Sequence, residues 1–106
     1  MQDIINRAAQ IRKLYDQLNA GNGTKWNGTD FMSGFVGDVG DLSKIIMVKS
    51  GLRSDQGENI DDLLVHELAD CLWSICVLAD IYNVDVEAAF SKTMNELEAK
   101  LNKQLN

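Results

Sequence analysis

Not one of the 106 residues is proline. Proline fixes φ and lacks a backbone N–H, so a chain without it suits long uninterrupted helices and argues against a loop-rich fold. The apolar residues recur with helical spacing. Ile4, Ile5, Ala8, Ile11, Leu14, Tyr15 and Leu18 make one stripe on a helix over residues 3 to 19. Gly21-Asn22-Gly23 ends it with residues that tolerate positive φ. A loop carrying Trp26 follows, and Thr29 or Asp30 is expected to cap a second helix that runs to about Lys49. Ser50-Gly51 breaks that helix, and residues 51 to 58 read as a polar loop. Asn59 is expected to cap a third helix, about 60 to 82, with core positions Leu64, Leu68, Leu72, Ile75 and Ala79. Asn83 can end it in the left-handed conformation, and Asp85 can cap a fourth helix from 86 to about 103. The core positions of that last helix are Val86, Ala89, Phe90, Met94, Leu97 and Leu101. Four helices with short connections make antiparallel neighbours in an all-α four-helix bundle, a single domain spanning residues 1–106.

A chain of this length buries a limited fraction of its surface, so association with a second copy is expected. The net charge of −6 offers no basic patch for a nucleic-acid polymer and no polybasic anchor for a membrane surface. The same acidity repels free nucleotides, so a nucleotide-binding role requires a bound cation. Cys71 and Cys76 lie five residues apart on one helix and point in different directions, which disfavours a disulfide between them. Reduced thiols fit a cytoplasmic protein. Met1-Gln2-Asp3 lacks the basic and apolar regions of a signal peptide, and no apolar run approaches the roughly 18 residues of a membrane span.

The second helix carries an unusual stretch, Gly34 to Asp41, reading G-F-V-G-D-V-G-D. Each glycine inside a helix costs about 1 kcal/mol relative to alanine, so glycines at 34, 37 and 40 suggest a functional side-chain-free stripe. Beside them Asp38 and Asp41 are neighbours at i, i+3, and the third helix repeats that spacing with Glu67 and Asp70. From Asp41 to the helix end is roughly 14 Å, and from the third-helix start to Glu67 roughly 12 Å, at 1.5 Å per residue. In an antiparallel hairpin the two pairs therefore share a level, and helix axes about 8–10 Å apart let four carboxylates converge. Clustered carboxylates without a cation raise one another's pKa. Oxygen ligands favour Mg²⁺, with Mn²⁺ as the other candidate. A di-iron site wants Glu-x-x-His motifs, and the only histidine, His66, belongs to none. The same level count places Arg12 and Tyr15 near Asp38, and Asn95 to Glu98 near Asp70 with Lys92 a turn away.

The arrangement resembles the MazG-type nucleotide pyrophosphohydrolases, the all-α NTP pyrophosphatase superfamily, whose pattern is E-E-x-x-E followed after a spacer by E-x-x-D. Here the first motif reads Gly37-Asp38-Val39-Gly40-Asp41 and the second Glu67-Leu68-Ala69-Asp70. Cys71-Leu72-Trp73 follows the second motif, and Asn83-Val84-Asp85-Val86-Glu87 precedes a last helix containing Lys92. The likeness covers roughly residues 8 to 100 and looks closest to small members such as the dCTP pyrophosphatase group, where glycine likewise precedes the first acid. It implies Mg²⁺-dependent hydrolysis of a nucleoside triphosphate to the monophosphate and pyrophosphate, with water attacking the α-phosphorus. Asp38, Asp41, Glu67 and Asp70 take the metal-ligand and catalytic positions. It also implies a homodimer or dimer of dimers in which helices of two chains build each pocket.

This chain departs from the pattern at four positions. Gly37 stands where the pattern has its first glutamate, and aspartates at 38 and 41 shorten the reach by one methylene each. On the last helix, Glu96 stands where members often carry asparagine, with Asn95 beside it. A relative with weakened catalysis, binding nucleotide or metal without efficient turnover, is therefore the alternative, and a helical module that only oligomerises is a third. Among substrate contacts, Tyr15 either stacks on a base or edges the core, and Trp26 either stacks on a base or packs the first loop. Lys44, Lys49 and Arg53 are either phosphate-binding cations or ordinary surface cations, with Lys49 and Arg53 set apart by their place at the 51–58 loop. Lys92 and Asn95 are the phosphate or sugar contacts expected from the last helix.

Overall fold

A computed structural model describes all residues, Met1–Asn106. It contains four helices and no strand: α1 Gln2–Gly21, α2 Gly28–Lys49, α3 Ile60–Ile81 and α4 Val86–Leu105. This is the all-helical class that the periodicity predicts, and it is consistent with a four-helix bundle. No helix is long and apolar enough to cross a membrane.

Local chemistry sets the helix ends. The cap of α2 is Asn27, not Thr29 or Asp30. The Asn27 side chain accepts from the Asp30 N–H at 3.1 Å, and the Asp30 carboxylate accepts from the Asn27 N–H at 2.9 Å. This reciprocal box satisfies two otherwise free donors, which a cap at Thr29 or Asp30 would leave open. Gly28 follows it because the Tyr82 ring lies where a Cβ would stand, so the start of α2 abuts the end of α3. Asn59 and Asp85 cap α3 and α4 as expected, each accepting from the N–H three residues on. Asn83 takes the left-handed conformation after α3, with φ 58°.

The dominant packing is the α2·α3 hairpin, with α1 laid against α3. Its core is small: Ala8, Phe31, Ile45, Cys71, Cys76 and Val77 are the buried apolar residues, joined by Ser74. The α3 stripe that faces inward is thus centred on Cys71, Ser74 and Val77. The positions expected as core, Leu68, Leu72 and Ile75, are 36–51% exposed. In α4 no residue is buried, and Phe90, Met94, Leu97 and Leu101 lie open to solvent. The apolar stripes on α3 and α4 exist as predicted, but within one chain they do not cover each other.

The consequence is an extended molecule. Its Cα radius of gyration is 17.3 Å, against about 13 Å for a compact domain of this length. Its accessible surface of 7904 Å² exceeds by about 2,000 Å² what monomeric proteins of 11.8 kDa expose.

Candidate metal centre

The hairpin brings the two acidic pairs together. Carboxylate oxygens of Asp38, Asp41 and Glu67 come within 4.8 Å of one another. Glu67 belongs equally to a second group with His66 and Asp70. In that group the His66 Nε2 lies 3.0 Å from an Asp70 oxygen, one turn along α3. Glu67 is therefore the side chain common to both, at the level predicted by counting residues along the hairpin.

The electrostatics are those of an uncompensated anionic cluster. Desolvation, then Asp70 and Asp41, push the Asp38 carboxyl above the usual range, with His66 working weakly against them. Desolvation raises Glu67 as well, reinforced by Asp38, Asp41 and Asp70. One Glu67 oxygen is sealed from solvent yet has no hydrogen-bond partner. A buried acceptor without a partner costs roughly 1–3 kcal/mol, more when charged. The donor set is oxygen-rich with vacant acceptor capacity, which fits a hard divalent cation.

Two cavities flank this cluster. On the Asp41 and Glu67 side, an open cleft of about 230 Å³ lies between α2, α3 and the 50–59 loop, with Lys44, Arg53, Asp55 and Glu58 in its wall. The loop holds its shape through Asp55, whose carboxylate accepts from the Gly57 N–H at 2.9 Å, and through positive φ at Gln56 and Gly57. On the Asp38 side, about 270 Å³ is lined by Tyr15, Trp26, Phe31 and Trp73. The Tyr15–Trp73, Trp26–Phe31 and Phe31–Trp73 ring centroids are 5.6, 5.4 and 5.9 Å apart. Trp73 is further fixed by its indole N–H, which donates to the Ala8 carbonyl.

Of the residues singled out in the sequence, Asp38, Asp41, Glu67 and Asp70 converge, Tyr15 and Trp26 join the aromatic cavity, and Arg53 enters the polar one. Lys49 does not: its ammonium lies 2.8 Å from Asp61, tying the end of α2 to the start of α3. Lys92 and Asn95 are exposed on α4, which packs along no other helix, so one chain does not bring them to the acids. Arg12 lies beside Asp80 at 2.8 Å rather than facing Asp38. The glycine stripe opens onto space; a Cβ at Gly34, Gly37 or Gly40 would meet nothing within 4 Å, so no neighbouring backbone uses it in the single chain.

Sequence reasoning missed Phe31 and Trp73 as cavity walls, although Trp73 sits one turn beyond Asp70 on the same helix. Cys71 and Cys76 are free, as expected, and both are buried. Desolvation pushes both thiols up, and Asp38, Glu67 and Asp70 push Cys71 further, so both stay protonated near neutrality. No family model, curated protein or solved structure matches the chain.

Proposed function

We propose that this chain is a divalent-metal-dependent nucleoside triphosphate pyrophosphohydrolase of the MazG type, releasing nucleoside monophosphate and pyrophosphate. The observation that carries the reading is the shared Glu67, whose sealed and unpartnered oxygen sits among Asp38, Asp41 and Asp70. Asp38, Asp41 and Glu67 would hold Mg²⁺ or Mn²⁺, with Asp70 kept in position by His66. When bound, such a cation supplies Lewis-acid polarisation of the phosphates and offsets charge in the transition state.

The two cavities support an orientation for the substrate. The aromatic cavity beside Asp38 suits a base, because flat rings stack on flat rings. The polar cavity beside Asp41 and Glu67 suits the terminal phosphates, with Arg53 and Lys44 donating to them. The scissile α–β bond then lies over the acids. Asp55 and Glu58 in the same wall make the polar cavity acidic overall, so a polyphosphate enters it only with cations alongside.

Self-association completes the proposal. The exposed stripe Phe90, Met94, Leu97 and Leu101 on α4 and the exposed Val65, Leu68 and Ile75 on α3 call for cover. The excess surface of about 2,000 Å² per chain matches an obligate interface between copies. Such an assembly is where Lys92 and Asn95 could reach a partner's substrate.

A panel of nucleoside and deoxynucleoside triphosphates, assayed for pyrophosphate release with Mg²⁺ or Mn²⁺, tests the reading. Metal-dependent release from at least one of them is expected. Binding of nucleotide or metal without release favours instead the weakened relative, for which the aspartates at 38 and 41 and glycine at 37 are the specific grounds.

A further inference from the structure

The aromatic cavity is not uniformly apolar. Asn19 from the last turns of α1 and Ser74 from the middle of α3 share its lining with Tyr15, Trp26, Phe31 and Trp73. Ser74 is only 3% exposed, a polar group built into the wall. Asn19 is half-buried. Its main-chain carbonyl is occupied by the N–H groups of Asn22 and Thr24. Its side-chain amide takes part in none of the chain's hydrogen bonds. Nor is either amide atom a sealed, unpartnered group. The amide is thus free to turn toward an occupant.

We infer that Asn19 is the specificity-determining residue of this cavity, reading the hydrogen-bonding edge of a nucleobase stacked among its aromatic walls. This rests on the proposed nucleotide substrate and goes beyond it by naming what selects the base. Apolar pockets gain affinity from stacking but orientation from a few placed polar groups. Stacking alone is tolerant, because every base has a π-face. A carboxamide presents one acceptor and two donor hydrogens, so it pairs with an edge where a donor stands next to an acceptor. A carboxylate in its place accepts only, and matches instead the two adjacent donors of guanine, N1–H and N2–H₂.

The test separates base recognition from hydrolysis by using uncharged nucleosides. Trp26 and Trp73 line the cavity, so binding of cytidine, uridine, adenosine or guanosine is read by tryptophan quenching in the full chain without metal. One nucleoside is expected to bind preferentially to the wild type. Asn19→Ala should lower that preference about tenfold, equivalent to about 1.4 kcal/mol, while helical circular dichroism is kept. Asn19→Asp should shift preference toward guanosine. Equal preference in wild type and Asn19→Ala overturns the inference, as does absence of quenching by every nucleoside. Asn19-dependent nucleoside selection without pyrophosphate release would uphold the inference and remove the hydrolase. Pyrophosphate release with Asn19-independent selection would do the reverse.

Discussion

The α2·α3 hairpin and α4 carry similar apolar periodicity but meet different fates. Phe31 on α2 is 4% exposed, wedged between Trp26 and Trp73, whereas Phe90 on α4 is 62% exposed. The hairpin closes on itself because small residues, Cys71, Ser74 and Val77, let α3 approach α2 closely, and the acids ride on that contact. The α4 stripe has no such counterpart within the chain. An apolar stripe announces that a face is to be covered; it does not say whether the cover comes from the same chain.

The contrast between the two phenylalanines gives the largest expected effects. Phe31→Ala should destabilise the fold by about 3–5 kcal/mol, the range for emptying a buried aromatic site, read by urea unfolding of variant and wild type at one fixed protein concentration. Phe90→Asp should leave helical circular dichroism nearly unchanged but convert an oligomer to monomer in sedimentation velocity. An unchanged sedimentation coefficient would mean that α4 is not an interface.

A second contrast lies between the charges midway along the hairpin and those at its turn. Asp38 and Glu67 are raised, chiefly by desolvation, so each binds a proton more readily folded than unfolded. Their contribution to stability is therefore fully present below the unfolded carboxylate values near pH 4 and is lost as pH rises through the raised folded values. Metal-free protein should therefore gain more from these two groups, and melt at a higher temperature on their account, at about pH 4 than at neutral pH. Mg²⁺ should raise the melting temperature at neutral pH and do so less on acidification. Asp61 behaves oppositely, lowered first by its hydrogen bond from Lys49, but this pair lies at the surface and contributes little.

That difference predicts the smallest effects. Lys49→Ala should change thermal stability slightly, in a salt-sensitive way, and leave turnover intact. Arg53→Ala, in the wall of the polar cavity, should raise KM for a triphosphate by about tenfold while the same protein melts normally, the scale of one lost charge-assisted contact. Equal kinetics for the two variants would detach the polar cavity from the phosphates.

Much of this was legible in the chain. The missing proline, the Gly and Asn breaks, and the Asn59 and Asp85 caps gave four helices nearly to their ends. Counting residues from the hairpin turn gave the convergence of Asp38 and Asp41 with Glu67, because helical rise is a fixed length. Three things were not legible. The cap at Asn27 depends on a reciprocal bond with Asp30, and Thr29 or Asp30 reads equally well by residue type alone. The inward face of α3 depends on how closely α2 approaches, which favours Cys71 and Val77 over the larger Leu68 and Ile75. The position of Lys92 and Asn95 depends on where α4 docks, a question of tertiary packing that a level count along a presumed bundle answers wrongly for the single chain.

The central claim is that the hairpin acids form one divalent-cation site built around Glu67. Mn²⁺ binding, followed by the loss of its free-ion electron paramagnetic resonance signal, tests it most directly. Wild type should bind Mn²⁺ saturably, Mg²⁺ should compete, and Glu67→Gln, which keeps the shape and removes the charge, should weaken binding about tenfold or more. Unchanged Mn²⁺ affinity in Glu67→Gln would contradict the account.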